Sequence, residues 1–159
     1  MLIDNAQGEV VGAEVPAAPA PLWAIVVLAI TPFPIAAGLY SFGPASGSAS
    51  ALSALLAWSL TVMAFLGGVR WGLETAGADF RLSRLSVALV CPVAAVVLFL
   101  ARGRLGDDVV VGGFLAAFLL QWLFDRAPDA SARYPRLSTA LTLAAAVSLA
   151  VVLEHIMAA

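Results

Sequence analysis

Apolar positions along this chain come in long blocks rather than in alternating pairs or narrow stripes. From Val15 to Val69, 55 residues pass without an Asp, Glu, Lys or Arg. A helix crossing a bilayer needs about 20 apolar residues, so this interval holds two spans. The cluster SFGPASGSAS, Ser41 to Ser50, separates them as a turn. The pattern predicts helices over residues 22–40 and 51–69, 19 residues each, or roughly 28 Å of rise apiece. Three more charge-free runs follow, Leu85–Ala101, Val109–Phe124 and Leu137–Leu153, of 17, 16 and 17 residues. Each is short for a span, but flanking Arg side chains can snorkel to the interface. One such run alone reads equally well as a buried helix of a soluble core; five in succession do not. The short alternating segments of a membrane barrel are missing. The expected fold is all-α, a polytopic membrane protein with a bundle of five transmembrane helices over residues 22–159.

Composition agrees. The chain is 62% hydrophobic and 11% charged, with a mean hydropathy of +1.01, whereas soluble domains carry about 25% charged residues. A net charge of −2 leaves no basic footprint for nucleic acid. All eight basic residues are Arg, which with the abundant Ala fits a GC-rich bacterial genome. The single cysteine, Cys91, lies in an apolar run and reads as a buried thiol. Residues 1–21 carry Asp4, Glu9 and Glu14 with no basic residue, unlike a secretory leader. They end in PAAPAP, so a disordered, acidic, Pro/Ala-rich tail is expected there.

The arginines also set a direction. Arg70, Arg81, Arg84, Arg126, Arg133 and Arg136 fall on one side of the predicted spans, and Arg102 and Arg104 on the other. The positive-inside rule then puts the N-terminus in the cytoplasm and the C-terminus across a bacterial inner membrane. Trp23, Trp71 and Trp122 fall at the same inner helix ends, while Trp58 lies near mid-helix.

Two polar segments stand out. FLGGVRWG, Phe65 to Gly72, closes the second span, and QWLFDR, Gln121 to Arg126, closes the fourth. Gly67 and Gly68, with Ala57, Thr61 and Ala64 at small-residue spacing, predict a face for helix packing. Arg70 beside Trp71 reads as an interfacial anchor or as a cation facing inward. Gln121 and Asp125 share a face, and both spans run in the same direction, so Arg70 and Asp125 finish in one leaflet and can pair. With Arg136 they outline an inner-leaflet polar cluster of Arg70, Trp71, Gln121, Asp125 and Arg136. Pro32 and Pro34 in TPFP predict a kink in the first helix, and Pro92 one in the third. The lone His155, with no second ligand at metal spacing, predicts no metal site. Signatures of hydrolases, metalloproteases and nucleotide-binding loops are missing, so neither a catalytic residue nor a cofactor is expected.

FLGGVRWG, QWLFDR and the Arg136-Leu137 opening of the last helix, with Pro32-Phe33 and Pro92, resemble the domain-of-unknown-function 3429 family. That family includes bacterial membrane proteins and the mitochondrial transmembrane protein 69. The resemblance runs from about TPFP to Leu153 and rests on Gly67, Gly68, Arg70, Trp71, Gly72, Gln121, Asp125 and Arg126. It implies an integral, multi-span inner-membrane protein and supplies no activity. The expectation is a non-enzymatic accessory or assembly protein whose polar cluster contacts lipid headgroups or another membrane protein, with self-association as a further option. A small oligomeric transporter or channel is the alternative, and an interfacial lipid-modifying enzyme using Asp125 or Glu74 as a base the third.

Overall fold

The computed structural model describes residues 20–76, 82–126 and 135–158. Among them the chain is helical throughout, with short turns: α1 Ala20–Ile30, α2 Pro32–Phe42, α3 Ala45–Ala76, α4 Leu82–Ala101, α5 Asp107–Asp125 and α6 Pro135–Ala158. The tail expected to be disordered lies outside the described residues up to residue 19, and Ala20 and Pro21 already belong to α1.

The first span is broken where the prolines predict. Pro32 and Pro34 occupy the opening turn of α2, where a missing N–H leaves no ladder bond unmade. Thr31 forms the joint, its N–H and its hydroxyl both donating to the Val27 carbonyl, at 3.0 and 2.8 Å. The Trp58 indole N–H donates to the Ala29 carbonyl at 2.9 Å. This accounts for a tryptophan at mid-helix: an indole donor far from water needs an acceptor, and a disturbed helix offers one. Pro92 behaves differently. It does not interrupt α4, which runs as one helix from Leu82 to Ala101.

The helices outrun the charge-free intervals, because charges mark where the apolar layer ends and not where a helix must stop. The predicted turn over Ser41–Ser50 contracts to Gly43 and Pro44. Gly43 leaves α2 with extended backbone while its N–H still donates to Leu39 at 3.1 Å. α3 then starts at Ala45 and continues past Gly72 to Ala76, 32 residues in all. Among the described residues, four segments are long and apolar enough to cross a membrane: Ala20–Phe42, Ala45–Ala76, Asp107–Asp125 and Arg136–Ala158. In α4 the apolar stretch Ala88–Ala101 is shorter.

The helices pack as a closed ring, α2 on α3, α3 on α4, α4 on α5, α5 on α6 and α6 back on α2, with α1 laid against α6. Phe33, Leu55, Met63, Phe114, Phe118 and Leu149 fill its centre. Phe33 meets Phe118 edge-to-face, with centroids 6.0 Å apart. Large apolar side chains such as Leu28, Phe42, Val97, Leu100 and Val147 face outward, as a lipid-solvated surface requires.

Within the chain, most of the small-residue face on α3 is not where its neighbours pack. Ala57, Thr61, Ala64 and Gly68 are exposed, and a side chain at Gly68 would meet nothing within 4 Å. Gly67 alone of the five is buried: a Cβ there would press on the Pro92 ring and come 2.9 Å from the Ala88 carbonyl. A run of small residues shows that close approach is possible but not on which side. The packing face of α3 follows its buried Leu52, Leu55, Leu56, Ser59, Val62, Met63 and Gly67 instead.

Candidate functional site

The C-terminal ends of α3 and α5 meet the start of α6 at one end of the bundle. The extension of α3 beyond the apolar run carries Arg70 inward, one turn past the buried Gly67. Its guanidinium donates to Asp125 Oδ1 at 3.0 Å. The Gln121 amide, one turn earlier on α5, donates to the same oxygen at 3.2 Å, and the Ser138 hydroxyl donates to Oδ2 at 2.8 Å. One carboxylate therefore ties together α3, α5 and α6. The side chains of Arg70 and Asp125 keep only 14% and 17% of their surface, so water screens the pair little.

Beside this knot, Trp122 donates through its indole to Thr139 at 3.4 Å, and the Arg126 guanidinium stacks over the Trp122 ring at 4.1 Å. Glu74, one turn beyond Arg70 on α3, is buried although it is an acid at a helix end. The sequence offered it only as a base for lipid chemistry; its burial shows a second acidic group packed into this end of the bundle.

Of the five residues in the expected cluster, the structure joins Arg70, Gln121 and Asp125. Trp71 and Arg136 are exposed and do not enter the network; Trp71 follows Arg70 directly, and Arg136 lies two residues before Ser138, about 200° round α6. Arg81 and Arg133 lie outside the described residues, as does the side chain of Arg84. Ser138 and Thr139 were missed. Their signal was present, as polar residues opening an apolar run directly after Arg136, at the level where an antiparallel α6 faces the end of α5.

At the opposite end Tyr40 of α2 and His155 of α6 pack edge-to-face at 5.9 Å, and Arg102 covers the Phe99 ring at 4.3 Å. Among the described residues, no group of three His, Cys, Asp or Glu side chains comes together to hold a metal ion. Cys91 is buried on α4.

Chemically, the Asp125 carboxylate is a shared acceptor. Both oxygens are engaged by donors from the chain itself, which suits joining helices better than taking a proton from a substrate. No curated protein and no solved structure matches the chain. Residues 18–154 match the protein family of unknown function DUF3429, and the chain belongs to that family.

Proposed function

We propose that this is a non-enzymatic accessory or assembly protein of the bacterial inner membrane. Its Arg70–Asp125 end holds a recognition surface against lipid headgroups or a partner membrane protein. The observation that carries the reading is the occupation of Asp125 by Arg70, Gln121 and Ser138, with Trp71, Arg126 and Arg136 left exposed around it. The inner side chains fix three helix ends, and the outer ones offer guanidinium and indole groups to phosphates or carboxylates.

Five spans, with the N-terminus in the cytoplasm, fit this reading. The Arg70–Asp125 end is the Arg-rich one, and Arg102 and Arg104 follow α4 at the other. Single cysteines introduced at Gly103 and Met157 in a Cys91→Ala background should react with an impermeant maleimide from outside intact cells. Labelling only after lysis reverses the orientation.

Affinity purification in mild detergent tests the function itself. The wild-type chain should retain a reproducible membrane protein or anionic lipid, and the double variant Trp71→Ala, Arg136→Ala should lose it while remaining folded. Recovery of the chain alone, with neither lipid nor partner, counts against the proposal.

A second reading, an oligomeric transporter or channel, draws on the polar atoms buried inside the bundle, among them Gln121 Oε1 and Thr142 Oγ1. Solute or ion flux in proteoliposomes that disappears with Asp125→Asn would favour it. An interfacial lipid enzyme ranks third, since it needs a base and Asp125 is already engaged; an altered lipid composition in a deletion strain would raise it.

A further inference from the structure

The ion-paired end does not account for every polar atom beneath it. Gln121 is 1% and Thr142 2% exposed. Gln121 Oε1 and Thr142 Oγ1 have no hydrogen-bond partner among the described residues. Burying a carbonyl oxygen or hydroxyl in this way is costly, and bilayer lipid offers no water from outside to relieve it.

Helix register brings the two side chains together. Asp125 on α5 touches Ser138 on the antiparallel α6 at 2.8 Å. Gln121 lies four residues before Asp125, and Thr142 four residues after Ser138. Each is therefore one turn deeper on the same face as its neighbour, and the two occupy one level between the helices. The orientation of Gln121 is set by its own contact. Its Nε2 donates to Asp125 Oδ1, and turning the amide over would place an acceptor against an acceptor. Oε1 is thus held away from Asp125 and needs a donor.

We infer that Gln121 Oε1 and Thr142 Oγ1 form a binding site for one buried water molecule between α5 and α6, one turn beneath Asp125. The water donates to Oε1 and exchanges a hydrogen bond with the Thr142 hydroxyl. Buried waters occupy places of this kind, where neighbouring polar groups otherwise lack partners. If Thr142 turned to donate to its own helix, as threonines in helices do, Oε1 would still be left without a donor. Ser59, also buried with an unpartnered hydroxyl, lies 11 residues before Arg70, roughly 16 Å deeper along α3, and is not part of this site. The inference holds whether or not the proposed accessory role does.

Proton-detected solid-state NMR on the whole chain in lipid bilayers, with labelled Gln and Thr, reads the site through magnetisation transfer from water. Transfer is expected to the Gln121 side-chain amide and to Thr142. It should vanish at Gln121 in Thr142→Val, which keeps the shape and removes the hydroxyl, and persist in Thr142→Ser. Three results would overturn the inference: no transfer at Gln121, transfer unchanged in Thr142→Val, or a direct Thr142–Gln121 bond without water. Should Thr142→Val fail to fold, Gln121→Met supplies the same reading at Thr142, where transfer should then be lost; its persistence overturns the site.

Discussion

Gly67 of α3 sits directly beneath Pro92 of α4, with no room between them for a side chain. The glycine supplies a notch, the proline ring fills it, and the two helices approach closely there. Gly67→Ala should therefore destabilise the bundle by about 1–3 kcal/mol, the range for overpacking a tight site. Gly68→Ala, with nothing within 4 Å, should be neutral or stabilising by up to about 1 kcal/mol through helix propensity. Thermal unfolding in detergent separates them. Pro92→Ala combined with Gly67→Ala should recover part of the loss, since residues in contact do not act additively.

Trp58 and Ala29 give a second test. Trp58→Phe keeps the aromatic bulk but leaves the Ala29 carbonyl without its indole donor. A loss of about 1 kcal/mol is expected, with hydrogen exchange rising first around the Thr31 joint. Unchanged exchange there would show that the bond does not support the break.

The outward face of α3 supplies a third. Ala57, Thr61 and Ala64 are exposed among the described residues. Ala64→Leu should shift stability by less than about 0.5 kcal/mol. If copies of the chain associate through this face, the same substitution should change the oligomer distribution in crosslinking without changing the fold.

Most of the architecture was legible because lipid imposes simple rules. Charge-free blocks located the helices, TPFP located the break, and the shared direction of two spans brought Arg70 and Asp125 to one end. The rest was hidden for identifiable reasons. Helix limits were short because α3 continues through Arg70 to Ala76, beyond the apolar layer, where polar residues are as helical as apolar ones. The side of α3 that packs within the chain was hidden because Ala57, Thr61, Ala64 and Gly68 form a better small-residue row than the larger side chains that pack there. Ser138 and Thr139 mark a polar opening of α6, but the group they meet is supplied by α5, 13 residues from Ser138 in sequence, which the local pattern does not name.

The central claim is that the Arg70–Asp125 pair holds three helix ends in place, and a charge-swap cycle tests it most directly. Arg70→Asp and Asp125→Arg each set like charges against one another in a poorly hydrated place. Each should cost about 2–4 kcal/mol, near the range for breaking a buried pair and reduced by the remaining exposure. The double swap restores an attractive pair, with Gln121 and Ser138 able to reverse their hydrogen-bonding sense. Thermal unfolding of all four proteins in one detergent should show the double variant recovering at least half of the summed loss. A double variant as unstable as the two single losses added together would contradict the account.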